Sequence, residues 1–184
     1  MGRRSKNSLL PPSDRAGFRA APARFLGLFL GIVIVYYLLT ATAWVDARVI
    51  YPVLQATAHG ASLILNAVGA HTRVEGVVIQ GPAFAVRVQR GCDPLEPIVL
   101  FWAAVIAFPA PVPKKATGLA LGSITLFGLN LIRIITLYWV GKARWSCFEA
   151  IHQELWPALF ILLAVLLWVF WLTWTRRVHT TSDA

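Results

Sequence analysis

Three side chains in this sequence are of types that do acyl-transfer chemistry together: Cys92, Arg133 and His152. A thiolate is a strong nucleophile, an imidazole moves protons near neutral pH, and a guanidinium holds five N–H donors in a fixed fork. Cys92 stands in RGCDPLEP just ahead of an apolar run. That is a helix N-terminus, where unpaired N–H groups and the positive end of the dipole favour a thiolate. Arg133 sits inside NLIRIITLYWV. A guanidinium in an apolar helix costs about 2.5 kcal/mol or more unless it meets a cavity or a partner, so a functional role outweighs simple snorkelling. Asn130, three residues earlier, shares its helical face. His152 opens another apolar run beside Glu149 and Trp156, and Glu149 is the carboxylate expected to fix its tautomer. No role is expected of His59, His71 or His179.

The second cysteine, Cys147, does not form a C-x-x-C pair with Cys92, and no four-ligand pattern surrounds either. No metal and no cofactor are expected. A serine protease of the G-x-S-x-G kind is disfavoured because the motif is missing. Two other readings stay open: a thiol-redox protein exchanging Cys92 with Cys147, and a membrane assembly component that needs none of these residues.

The elements that must position the three residues follow from composition. Of 184 residues, 58% are hydrophobic and 14% charged, with eight Trp and a mean hydropathy of +0.66. A soluble core of this size cannot hide that much apolar side chain, so lipid solvates much of it. The expected fold is an all-α integral membrane bundle of about four transmembrane helices, near 24–44, 94–109, 117–140 and 153–175. They form a single membrane domain over 24–177. Polar tails flank it at 1–23 and 178–184, and an external segment fills 45–92. In that segment, 45–70 reads as a helix at the interface or against the bundle. Residues 72–80 and 83–89 alternate around Gly81-Pro82 as a short β-hairpin. The first span follows a basic stretch and ends near Ala41-Thr42-Ala43, like a cleavable signal peptide. Its length and the terminal Trp44 favour a retained span. Gly118 and Gly122, four apart in the third span, suit close helix packing.

The net charge of +9 is scattered over loops and termini rather than gathered on one face, which points to membrane orientation and not to nucleic acid. Ten basic residues fall in 1–24, at Lys114 and Lys115, and at Arg176 and Arg177, against two acids, Asp14 and Asp183. That side, with both termini, is therefore expected in the cytoplasm. The other side carries seven basic residues and six acids. Counting about 1.5 Å per helical residue from the cytoplasmic edge places Arg133 about 24 Å, Cys92 about 25 Å and His152 about 35 Å away. All three therefore gather near the external boundary.

The order of Cys92 in GCDPLEP, Asn130 and Arg133 in NLIRI, and His152 in IHQELWPALF resembles the exosortase/archaeosortase family. These are transpeptidase-like membrane enzymes that process C-terminal sorting signals. The likeness covers about residues 24–175 and is most similar to the compact exosortase H type, with its external insertion before the Cys and its AFPAP loop. It implies Cys92 as nucleophile, Arg133 as stabiliser and His152 as acid or base. It further implies exported proteins with C-terminal sorting signals as partners, a location in the bacterial inner membrane, and a site facing outward. One departure stands out: Pro94 occupies a position where the family usually has Gly.

Overall fold

The computed structural model describes residues 12–143 and 145–180, with side chains described over 22–143 and 146–175. Helix α1 spans Pro12–Thr40, and a turn, α2 (Ala43–Val45), leads into a π-helical turn, π1 (Asp46–Ile50). Helix α3 (Tyr51–Ala67) is followed by three short strands, β1 (Arg73–Glu75), β2 (Val78–Gln80) and β3 (Ala85–Arg87). Helix α4 (Leu95–Ala107) precedes the long α5 (Val112–Ala143). The chain closes with α6 (Trp145–Ala150), a second π-helical turn, π2 (Ile151–Leu155), and α7 (Trp156–Thr180).

Three helices are long and apolar enough to cross a membrane: Pro22–Thr40, Val112–Ala143 and Ser146–Thr175. The expected second span is not one of them. Its helix has 13 residues, about 20 Å at 1.5 Å each, short of the ~30 Å of a hydrocarbon core. Two features cut it short. The Cys92 turn occupies its start, and Pro109, Pro111 and Pro113 follow its end, where the ring allows no continuation. One side of α4 buries Ile98, Phe101, Ala103, Val105 and Ala107 among α1, α5 and α7, while Trp102 and Ile106 stay exposed.

Close approach to α5 depends on the two spaced glycines. The Phe101 ring lies where a Cβ on Gly122 would stand, and the Trp171 ring does the same at Gly118. The Lys114 ammonium donates to Thr175 O at 2.9 Å and Trp171 Nε1 donates to Lys114 O at 3.0 Å, so the start of α5 and the end of α7 share one end of the bundle.

The tail expected over 1–23 is helical from Pro12, and residues 1–11 lie outside the described residues. At the other end α7 runs to Thr180, leaving 181–184 outside them. The expected hairpin is a three-stranded antiparallel sheet of order β1-β2-β3. The stretch 72–80 folds on itself, because Gly76 takes φ +62° between β1 and β2. A left-handed position of this kind suits glycine and makes a turn inside what the alternation suggested was one strand. The sheet's inner residues, Ile79, Val86 and Val88, join Leu54, Ala58, Ala61 and Leu65 of α3 and Ile134 and Tyr138 of α5 in one core. One face of helix α3 thus packs against the sheet and α5, with Leu63 and Ile64 exposed on its other side.

Candidate active site

Four elements meet around Cys92. The strand β3 runs into a turn that places Gly91 at φ +84°, and Cys92 N–H donates to Gln89 O at 2.8 Å. Asp93 secures the turn on both sides: its carboxylate accepts from Gly91 N–H at 3.2 Å and from Leu95 N–H at 3.0 Å. Pro94 then caps α4 with φ −82° and ψ −6°. These are angles that proline adopts without strain, and its carbonyl accepts from Ile98 N–H at 3.1 Å. Position 94 requires no left-handed angle; the left-handed residue of this turn is Gly91, just before the cysteine.

The three candidate residues converge around the turn that carries Cys92. Cys92 Sγ lies 2.9 Å from His152 Nε2. Arg133 donates through one terminal nitrogen to Gly91 O at 2.9 Å, while the other stands 4.0 Å from Cys92 Sγ. Asn130 Nδ2 donates to Cys92 O at 3.1 Å. Both α5 residues are buried, Asn130 at 0% and Arg133 at 6% exposure. Together they grip the main chain on either side of the cysteine, which answers the cost of placing a guanidinium in an apolar helix. The guanidinium also lies 5.8 Å from the centre of the Phe160 ring, and its Nε is buried without a partner among the described residues.

His152 belongs to π2, where the wider turn sits at the start of the apolar length of the last helix. Its ring stacks on Phe148, with centres 5.6 Å apart. The support expected from Glu149 takes another form: that carboxylate, exposed and one helical turn away, accepts from the Gln153 side chain. Phe148, rather than Glu149, is the residue against the imidazole.

Burial pushes the Cys92 thiol above its ordinary value, with the Asp93 carboxylate adding to the rise. The Arg133 guanidinium and a backbone hydrogen bond at Gln89 pull the other way. Burial thus works against the thiolate expected from the helix dipole. Leu95 N–H, the first donor of α4, already has the Asp93 carboxylate as its partner, and Cys92 is only 6% exposed.

Two cavities flank the site. One, of about 210 Å³, runs between Phe84–Gln89 and the side chains of Ile134, Leu137 and Phe148, with Cys92 and His152 in its wall. The other, of about 350 Å³, opens between α4 and α7 on the far side of Arg133 and is lined by Asp93, Glu96 and Phe160 among others. Cys147 is exposed and free.

Several residues that build this site went unmarked by sequence reasoning: Asp93, Gly91, Phe148 and Phe160. An Asp just before a proline that starts a helix is a recognisable capping signal and reveals Asp93. Nothing local marks Phe148 or Phe160, whose roles arise from packing across helices. Comparison with protein-family models, with curated protein sequences and with solved structures finds no match to this chain.

Proposed function

We propose that the chain is a membrane cysteine peptidase or transpeptidase of the exosortase type. It would process C-terminal sorting signals of exported proteins at the external face of the bacterial inner membrane. The observation that carries this reading is a buried thiol 2.9 Å from an imidazole nitrogen, with a guanidinium beside it. This is the constellation of an activated nucleophile, its base and a donor for developing charge.

In this mechanism the thiol keeps its proton until substrate arrives, because burial disfavours the thiolate. His152 Nε2 takes that proton as Sγ attacks the scissile carbonyl carbon. The carbonyl oxygen becomes an oxyanion next to the Arg133 terminal nitrogen that faces Sγ. Collapse breaks the C–N bond, His152 returns the proton to the leaving amine, and a thioester on Cys92 remains. Water or an acceptor amine then attacks the thioester, loses its proton to His152, and releases the thiol. Asn130 holds the Cys92 carbonyl throughout and so fixes the nucleophile's backbone.

The test uses a co-expressed exported protein that ends in a short motif, a hydrophobic helix and a basic terminus, with the mass of its new C-terminus as readout. Cys92→Ala should abolish processing at unchanged membrane levels, and Cys147→Ala should be nearly silent. Processing that survives Cys92→Ala sinks the enzyme reading; equal loss from both variants favours thiol exchange.

A further inference from the structure

Strand β3 ends the sheet, so only one of its edges is paired. Its register sets Val78 opposite Arg87, Ile79 opposite Val86 and Gln80 opposite Ala85. Gly81 N–H donates to Phe84 O and Val88 N–H to Val77 O. Because backbone groups in an antiparallel ladder alternate in direction, residues 84, 86 and 88 turn theirs towards β2. The N–H and C=O of Ala85 and Arg87 point off the opposite edge, where no partner is found among the described residues. An unpaired row of this kind is a template for one more strand.

This edge borders the 210 Å³ cleft that holds the thiol and the imidazole. Val86 and Val88 belong to the buried core, and Ala85 and Arg87, whose main-chain groups point off the free edge, are among the residues that line the cleft. The strand then leads directly into the Gln89–Cys92 turn. Attack by a thiol also needs a peptide carbonyl that is free of helical hydrogen bonding, which an extended segment provides and a helix does not.

We propose that the acyl side of the peptide substrate binds as an added strand on the free edge of β3. Its backbone pairs with the N–H and C=O of Ala85 and Arg87, which brings the scissile carbonyl to Cys92. The inference rests on the reading of Cys92 as a nucleophile towards peptides. Main-chain pairing supplies affinity with little demand on side-chain identity, as in other cases of strand addition.

The experiment measures alkylation of Cys92 by mass spectrometry, using the full chain carrying Cys147→Ala in lipid nanodiscs. The probes are acetyl-Ala-Ala-Ala chloromethyl ketone, its singly N-methylated analogues, and iodoacetamide as the reference for thiol reactivity. In each case sulfur bonds to the reagent's methylene carbon, the carbon–halogen bond breaks to release halide, and the thiol proton passes through His152 to solvent. N-methylation at a pairing position should lower the rate of the peptide reagent, relative to iodoacetamide, about tenfold, the scale of one or two lost hydrogen bonds. Ala85→Pro and Arg87→Pro should lower the same ratio about tenfold, since each removes an N–H that the β2 ladder does not use, at an edge where proline is tolerated. Equal ratios for the parent peptide and every N-methylated analogue would overturn the inference. Where the proline variants fail to insert, the N-methyl series on the unmutated edge decides alone. Failure here leaves the processing test of Cys92→Ala untouched, so the two readings fall separately.

Discussion

Arg133 is where a single functional group decides most. A guanidinium that only anchored the helix could be replaced by an ammonium, because both stretch a charge along an apolar stem. In this site the side chain instead divides its donors between Gly91 O and the region of Cys92 Sγ. A point-like ammonium cannot serve both directions. Arg133→Lys should therefore keep normal membrane levels yet lose about 10²-fold or more of processing, the scale seen when an oxyanion donor is removed. Near wild-type processing at matched expression would reduce its role to charge alone. The thiol gives a second, independent expectation. Burial raises the Cys92 thiol and Arg133 opposes that rise, so the rate of alkylation by iodoacetamide should keep climbing with pH beyond the ordinary thiol range. In Arg133→Gln the opposing charge is gone, and the whole profile should move to still higher pH, with slower alkylation at any pH below its plateau. A profile that moves to lower pH contradicts this assignment of causes.

At the scale of elements, the site depends on how closely α4 can approach α5. The turn carrying Cys92 is continuous with α4, while Asn130 and Arg133 reach it from α5. The helices meet where Phe101 occupies the space beside Gly122, and Phe101 is buried at 3% exposure, with little room to swing away. Gly122→Ala should thus destabilise the protein by about 1–3 kcal/mol, the usual cost of overpacking. A thermal unfolding midpoint in detergent is the measurement. Gly128 lies on the same helix with nothing near its would-be Cβ, so Gly128→Ala should leave the midpoint within a degree or two of the parent, on the order of a surface change. Equal effects from both substitutions would mean that the helix itself, and not the α4 contact, is what glycine serves.

For the molecule as a whole, the structure separates two ends. Lys114 meets Thr175 at one, and Cys92, Arg133 and His152 meet at the other. Nineteen residues of helix separate Lys114 from Arg133, about 28 Å at the α-helical rise. The placement proposed above puts the Lys114 end in the cytoplasm, as the positive-inside rule expects of the side richer in basic residues. A membrane-impermeant thiol reagent applied from outside intact cells should therefore label the exposed Cys147. Lys114→Cys, in a Cys147→Ala background, should react only after the membrane is opened. Labelling of Lys114→Cys from outside would invert the placement.

Much of this was legible in the sequence because the relevant physics is local and cumulative. Long apolar runs identified the helices of α1, α5 and α7, since only lipid or a bundle interior can solvate them. A helical rise of 1.5 Å per residue put Cys92 and Arg133 at one depth and His152 about 10 Å beyond, while their meeting around one turn is tertiary; the four-residue spacing of Gly118 and Gly122 located the tight packing. Where the reading fell short, interactions distant in sequence decided the outcome. Whether 94–109 spans depended on the capped Cys92 turn at one end and burial among three other helices. The third strand depended on a left-handed Gly76 within an alternating stretch. The partner of His152 depended on which side chains of α6 and π2 turn inward, and there Phe148 meets the ring while Glu149 turns to Gln153. The thiol follows the same rule: local sequence placed Cys92 at a helix start, but tertiary packing removed it from water, and that burial raises the thiol above its ordinary value while Arg133 pulls the other way.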